Sequence, residues 1–404
     1  MSFDLFAYRK LQDTAADCED RCDQIEREMR DPKAAERFAL KQSQAFVDQM
    51  EGFALDLEDE LMNFSDVSYK SFVKSESEII TLFYDKFADI PLLSRMDAVA
   101  ETFIDEIETL LNRDLPEEER IPLIEKFRKM YETMDFYVLY NRFLKKEGYQ
   151  TLPRRPLEKR KLRYEDVYPV LYLKYRLSRQ AERSNIKHLV IDEMQDYSRL
   201  QYLIIRRMFS CKMTILGDRA QTMADQQQDV LQFLPGIFGK DLRRIEMRKS
   251  YRNTVEIASY AANLIGVTDL ELFERHGMPV LERDVTDLEA ALREAVDTLF
   301  PDEKTYETAA VIVPDEKTAE RAYLILREIL VEKDFDCEKR LSWLNRDSSS
   351  FKKGLTVTTF YLAKGLEFDQ VFSIFPKDEK REMMMQAQYI AATRALHELR
   401  VYHI

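Results

Sequence analysis

The stretch Lys187–Tyr202, "KHLVIDEMQDYSRLQY", runs from a short apolar strand straight into two adjacent acids, Asp192 and Glu193. Carboxylates at the carboxyl end of a buried strand commonly hold a metal ion and polarise a water, and in nucleotide hydrolases both act on a bound phosphate. A lone Asp-Glu pair would be weak evidence, because acids also cap the helix that follows a strand. Here a second strand ends in "ILGDRAQ" (Ile215–Gln221) and places Gly217, Asp218 and Gln221 where a parallel neighbour would meet the same edge. Two strand ends then converge on one crevice, the place where open α/β sheets bind ligands. Turn residues and a helix cap would explain Asp218 alone, not the whole set.

Outward from this pair the pattern alternates. Short β-branched strands ("LRRIEM", "AAVIVP", "LTVTTF", "QVFSIF", "ELRVYHI") are interleaved with helical segments, which predicts parallel sheets covered by helices on both faces. From about Asp13 to Tyr149 the chain is nearly free of glycine. Its apolar residues fall at three-and-four spacing, as in "AFVDQMEGFALDLEDELMNF", which predicts a helical region. The stretch "LPRRPLEKRKLR" (Leu152–Arg163) interrupts it, because paired prolines disfavour helix and clustered charges repel. It reads as a solvated connector, with a nucleic-acid contact as the alternative. The resulting division is a helical region over 1–150, inserted in or flanking a first lobe, the remainder of that lobe over 151–240, and a second lobe over 241–404.

Composition narrows the class of partner. A net charge of -13 argues against wholesale coating of nucleic acid and confines any such contact to one face. Only 9 glycines stand in 404 residues, far below the usual ~7%, so few sites remain for glycine-rich loops. Four cysteines (Cys18, Cys22, Cys211, Cys337) do not make a disulfide framework, and four histidines leave little to complete a metal site. Cys18 and Cys22 lie one helical turn apart and read as ordinary helix positions. No apolar run approaches the ~18 residues that span a bilayer and the start lacks a signal-peptide pattern, so a membrane is not an expected partner and the cytoplasm is the expected compartment.

Two arginines complete the chemistry. "MRKSYRNTVEIASYAANLI" puts Arg252 at a strand-to-helix junction, and "QAQYIAATRALHEL" puts Arg394 on a helix just before the last strand. Phosphoryl transfer uses such cations because charge spreads over the γ-phosphate oxygens in the transition state, and a fixed guanidinium can meet it bidentately. Either arginine alone would read as a surface ion pair. Between them, in "TVTTFYLAKGLEFDQVFSIF", Gly365 allows a tight turn after a strand, flanked by Lys364 and Glu367.

In this order "DEMQD", "GDRAQ", "SYRNT", "AKGLEF" and "ATRA" resemble motifs II to VI of the UvrD/Rep-type superfamily 1 helicases, from about Tyr164 to Ile404. The resemblance implies an α/β protein of two RecA-like parallel-sheet lobes, the first incomplete, with a largely helical amino-terminal region. It implies ATP and Mg2+ as cofactors, with Asp192 binding the metal, Glu193 activating the attacking water and Gln221 sensing the γ-phosphate. Arg252 and Arg394 would reach that phosphate, Glu367 would lie near the sugar, and Gly217 and Asp218 would belong to the nucleotide-binding turn. Thr359, Tyr361, Lys364 and Gly365 would link the nucleotide cleft to a strand-binding groove. Two departures narrow the branch. Tyr361 stands where motif V usually has His, and the interval from Arg252 to Lys364 is too short for the large domain that UvrD and Rep insert there. Both features, with "MSFDLFAYR" and "YEDVYPVLYL", are similar to the HelD branch, helicase-like ATPases that bind bacterial RNA polymerase. The implied partners are single-stranded DNA, bacterial RNA polymerase, or both.

A phosphate loop GxxxxGK[ST] needs Gly for close backbone approach, Lys for the β- and γ-phosphates and Ser or Thr for magnesium. None occurs here: Gly239-Lys240 is followed by Asp241, and Leu234 stands five positions before Gly239. In the family that loop precedes the segment resembling "MSFDLFAYR", so the expectation is a chain that begins after it, from a truncated or split gene. Three readings follow. The chain is the carboxy-terminal part of an ATP-driven helicase or translocase of HelD type, moving on nucleic acid or remodelling RNA polymerase. Or it is a non-hydrolysing module that keeps the fold and binds polymerase or nucleic acid. A metal nuclease using Asp192 and Glu193 is disfavoured, because no further acid and lysine pair follows at nuclease-like spacing.

Overall fold

Polar residues cut the long helical pattern of the first 150 residues into separate helices. After α1 (Phe3–Lys10) and β1 (Asp17–Cys18), Asp20 and Asp23 form a reciprocal capping box that starts α2 (Arg21–Arg30). Cys18 therefore sits in a strand and Cys22 in a helix, not on one helix as their spacing suggests. Asp31 ends α2 and caps α3 (Pro32–Gln42), whose proline occupies the first turn, where its missing N–H costs nothing. Ser43 caps α4 (Gln44–Glu60). A hairpin of β2 (Val67–Tyr69) and β3 (Phe72–Lys74) follows, turned by Lys70 at a left-handed φ of 53°. The helical reading had no place for this hairpin. Next come α5 (Glu76–Thr81), α6 (Leu92–Leu111), α7 (Glu117–Arg128) and α8 (Phe136–Lys146). The strand β4 (Lys161–Leu162) then pairs in parallel with β1.

The computed structural model describes residues 3–179, 185–218, 221, 230–247, 249–267, 271–299, 306–333, 336–346, 348, 353–377 and 382–404. The chain forms two compact units. The first is Met1–Asp192 with Tyr197–Leu216 and Val230–Lys240; the second is Glu193–Asp196 with Gly217–Asp229 and Asp241–Ile404.

In the first unit, α9 (Tyr164–Leu177) is buried along nearly its whole length and packs against α1, α2, α3, α4, α6, α8 and α10 (Arg199–Met208). It carries Glu165 and Asp166 into the core at 2% and 1% exposure. Lys41 on α3 donates to both, at 3.1 and 2.7 Å, and the Tyr140 hydroxyl on α8 donates to Asp166 at 2.7 Å. Burial, with the neighbouring Asp166 charge, holds the Tyr140 phenol well above its ordinary pKa, so it stays a proton donor. The parallel pair β5 (His188–Ile191) and β6 (Lys212–Ile215) turns Leu189, Ile191, Met213 and Ile215 into the same core, which α11 (Val230–Phe238) also joins. Their other face, with His188, Val190, Lys212 and Thr214, is exposed.

The second unit begins with the short parallel pair β7 (Lys249–Ser250) and β8 (Glu271–Leu272), with α12 (Val255–Leu264) between them. Its main sheet comprises β9 (Leu281–Asp284), β10 (Thr308–Val313), β11 (Leu341–Trp343), β12 (Gly354–Thr359), β13 (Phe368–Phe375) and β14 (Ala395–His403). All are parallel, in the order β11-β12-β10-β13-β14-β9. Ala309, Val311 and Val313 share a core with α13 (Leu288–Asp297) and α14 (Glu316–Glu332). Alternation sends Ala310 and Ile312 to the opposite face. There α16 (Glu382–Thr393) lies on β13 and β14, with α12 packed on it, while the short α15 (Cys337–Arg340) leads into β11. The mixed α/β class and the parallel sheets expected of RecA-like lobes are thus present, the first sheet having two strands among the described residues. The stretch "LRRIEM" is not a strand: Leu242, Ile245 and Met247 miss the two-residue period of a half-buried strand and lie exposed.

Removing one partner of a buried ion cluster leaves the others uncompensated. Lys41→Met should therefore destabilise the first unit by about 3 kcal/mol, read as a lower urea midpoint in far-ultraviolet circular dichroism. An unchanged midpoint would mean that the cluster contributes nothing to joining α3, α8 and α9.

Candidate functional site

Within the second unit a set of loops gathers most of the residues singled out by the sequence. Glu193 follows β5 at a left-handed φ of 53°, a conformation that costs a non-glycine residue on the order of 1–2 kcal/mol. The Gln195 side chain donates from Nε2 to Glu193 Oε2 at 2.6 Å and accepts the Asp218 amide at 3.1 Å. Gln221 donates from Nε2 to Asp218 Oδ2 at 3.0 Å, and the Tyr389 hydroxyl on α16 donates to the same oxygen at 3.2 Å. Burial holds the Tyr389 phenol above its ordinary pKa, with the Asp218 charge adding to it, so this donor keeps its proton.

Arg394 closes the chain. Only 1% exposed, it directs Nη2 to Gln221 Oε1 at 3.2 Å and Nε to the Ile390 carbonyl at 3.2 Å. Asn253, next to Arg252, clamps the backbone around it by donating to the carbonyls of Thr393 and Ala395 at 3.2 and 2.6 Å. Burial pulls the Arg394 pKa down, and so does the Arg252 charge, while Glu193 and Glu367 push it back up. Arg252 itself is half exposed and pairs with Glu367 at 2.7 Å.

Lys364 is the second anchor. Its side chain is 7% exposed, donates to Asp196 Oδ1 at 2.6 Å and to the Gln221 carbonyl at 3.3 Å, and lies 3.6 Å from Glu193 Oε2. Gly365 (φ 81°) turns the chain beside it. Thr359, buried at the end of β12, accepts the amides of Leu362 and Ala363 and so shapes the loop. Tyr361 is 6% exposed with its ring edge-on to Phe360, which makes it a packing residue of that loop. Gly217 is required by space: a Cβ there would stand 2.6 Å from the Met194 amide nitrogen.

The second unit therefore brings together Glu193, Gln221, Lys364 and Arg394, with Asp218 alongside. Asp192, exposed beyond β5, belongs to the first unit. Sequence reasoning passed over Gln195, Asp196, Asn253 and Tyr389, although each stands inside a quoted motif stretch. Tyr251 is 61% exposed beside Arg252, with its ring 5.5 Å from that of Phe273 and Lys249 Nζ 5.5 Å from its centroid.

The donor set can be tested against a nucleotide and its magnesium. No group of three or more His, Cys, Asp or Glu side chains is placed to share a metal among the described residues. Magnesium needs no such cage, since one or two carboxylates, waters and phosphate oxygens complete its shell. Carboxylates, a glutamine and two arginines suit the metal and terminal-phosphate end of a nucleotide, whereas nothing in the 404 residues supplies the glycine loop for the β-phosphate. The fit is to one end of the ligand. No helix among the described residues is long and apolar enough to cross a membrane.

Residues 2–223, more than half of the chain, match the UvrD/REP helicase N-terminal domain family. No curated protein sequence matches. Among solved structures the chain is similar to the C-terminal domain of a possible DNA helicase from Lactobacillus plantarum WCFS1, at 23% identity over 38% of this chain and 88% of that one, with a TM-score of 0.30. It is also similar to the PRRSV helicase (14% identity, 66% of this chain, 45% of that one, TM-score 0.32). The arterivirus nonstructural protein 10 helicase matches at 15% identity, 66% and 50% coverage and a TM-score of 0.29. The chain spans about half the length of these two viral proteins.

Gly217 and Gly365 should respond differently to alanine. Gly217→Ala forces Met194 and Gln195 to move and should cost about 1–3 kcal/mol, with faster hydrogen exchange at the Asp218 amide. Gly365→Ala meets no atom within 4 Å and should cost only the left-handed strain, about 1 kcal/mol. Thermal unfolding of the two variants checks the order, and equal losses would refute the close packing assigned to Gly217.

Proposed function

Because the chain belongs to the UvrD/REP helicase family, we propose that it carries the hydrolysis and coupling residues of a UvrD-like ATPase of HelD type. Its work would be movement on single-stranded DNA or remodelling of a nucleic-acid-bound RNA polymerase. The observation that carries this reading is the hydrogen-bonded chain from Arg394 through Gln221, Asp218 and Gln195 to Glu193, which ties the acid after one strand to an arginine at the end of α16. In this reading the helical region spans 1–150, the first lobe continues over 151–240 and the second lobe covers 241–404.

Asp192 would hold magnesium, which supplies charge to the phosphate oxygens when bound. Glu193, in its left-handed position, orients a water. Gln221 would pass a change at the phosphate to Arg394 and Lys364, a role supported by its hydrogen bonds to both. Arg252 and Glu367 trade their mutual pairing for phosphate and sugar. The segment with Thr359, Tyr361, Lys364 and Gly365 conveys the change toward nucleic acid. A second reading, a non-hydrolysing module that binds RNA polymerase or nucleic acid, draws on a different observation. Lys364 pairs with Asp196 and Arg252 with Glu367, so these cations also have a structural role of their own.

Positioning and electrostatic stabilisation supply most of phosphoryl-transfer catalysis. Without loop amides and their lysine to hold the β- and γ-phosphates in line, the 404-residue chain by itself should turn over ATP at least about a thousandfold below a complete motor. A phosphate-release assay with and without single-stranded DNA, run beside Glu193→Gln to subtract contaminating ATPase, checks this. DNA-stimulated turnover on the order of one per second that vanishes in Glu193→Gln would reveal another phosphate site. The partner is separated by immobilising the chain and offering bacterial RNA polymerase or single-stranded DNA: capture of neither would remove both readings.

A further inference from the structure

The connector between α8 and α9 carries six basic side chains and one acid over Leu152–Arg163 in a protein of net charge -13. Two of the six are used internally. Arg160 pairs with Asp135 at 2.7 Å, donates to the Thr14 carbonyl and stacks 4.5 Å from the Tyr137 ring centroid, while Lys161 pairs with Asp17 at 3.0 Å. The other four, Arg154, Arg155, Lys159 and Arg163, are exposed. None is paired with a carboxylate among the described residues.

The backbone that bears them is held in place. Asn141 accepts the Leu152 amide at 2.7 Å, the Tyr137 hydroxyl donates to the Pro153 carbonyl at 2.8 Å, and Arg160 Nε donates to the Arg155 carbonyl at 3.0 Å. Pro156 fixes an extended start to the 3-10 turn Leu157–Lys159, and fully buried Leu162 in β4 pins the far end. A solvated connector has no need of such fixation. A ribbon that is already ordered pays little conformational entropy when it binds.

We infer that this ribbon is a contact site for the phosphate backbone of single-stranded nucleic acid, held through Arg154, Arg155, Lys159 and Arg163. The inference rests on the reading of nucleic acid as the protein's substrate and assigns it a site outside the motif segments. Two features favour phosphate over an acidic protein surface. Three of the four cations are arginines, whose planar fork matches phosphate bidentately. The ribbon also lacks an apolar anchor, Leu157 being its one exposed large hydrophobic at 37%. Protein interfaces have an apolar and aromatic centre, whereas nucleic-acid interfaces are polar and strongly positive. The local cluster also agrees with a contact confined to one face of an acidic molecule.

The test uses the full chain and a fluorescein-labelled oligothymidylate, with affinity followed by anisotropy across a salt series. Single-strand binding loses about 0.7 in log–log salt slope for each phosphate contact removed, so R154Q/R155Q/K159Q should flatten the slope by about 2 and weaken low-salt binding roughly tenfold or more. R154K/R155K, which keeps the charge, should retain the slope. An unchanged slope in the glutamine variant, with wild-type binding intact, overturns this site and leaves the proposed function standing. No oligonucleotide binding by the wild-type chain overturns this site together with the nucleic-acid branch of the proposed function, and leaves the polymerase branch to the capture experiment. Loss in the lysine variant equal to that in the glutamine variant would overturn the electrostatic assignment, and displacement by poly-L-glutamate at equal charge would make the ribbon an acidic-peptide site instead.

Discussion

A guanidinium that is 1% exposed must find acceptors for its N–H groups inside the protein, and the second unit is organised around that demand. Arg394 takes carbonyls from its own helix end and from Leu366, then reaches Gln221. Lys364, nearly as buried, takes Asp196 and the Gln221 carbonyl. Because an unpaired buried charge is costly, these two cations hold the loops after β5, β6 and β12 to the end of α16. The same loops hold most of the residues to which the helicase resemblance gives a role.

These contacts form one connected polar network within the second unit. Gln221 is central in a literal sense: its amide donates to Asp218, its side-chain oxygen accepts from Arg394 and its carbonyl accepts from Lys364. The strained φ of Glu193 persists because Gln195 fixes its carboxylate and the Asp196 amide returns to the Glu193 carbonyl.

The first unit solves a different problem. Its central helix α9 brings two carboxylates into an apolar core, and Lys41 with Tyr140 compensates them. The helices that surround α9 are thereby registered against it, and the β5–β6 pair rests on the same core with its outer face exposed. The basic ribbon is fastened to this unit by Tyr137, Asn141 and Asp135, which lie at the beginning and middle of α8.

Much of this was legible in the order of residues. The periods of two and of three-to-four identify strands and helices from local spacing, and a polar cluster at a strand end is visible without knowing its neighbours. Asp192, Glu193, Asp218 and Gln221 could thus be chosen by position, Arg252 and Arg394 only through the motif resemblance, and the absence of a GxxxxGK[ST] loop is a plain fact of the chain. Short-range choices were less secure: the turn at Lys70 and the break between Cys18 and Cys22 depend on single polar residues that also occur within helices. What only the tertiary structure decided is which side chains answer one another. Lys364 and Asp196 are 168 positions apart and Arg394 and Gln221 are 173 apart. Partners at that separation are chosen by burial and sheet order, because a charge excluded from water must take whichever acceptor the fold places beside it, and no local pattern records that choice.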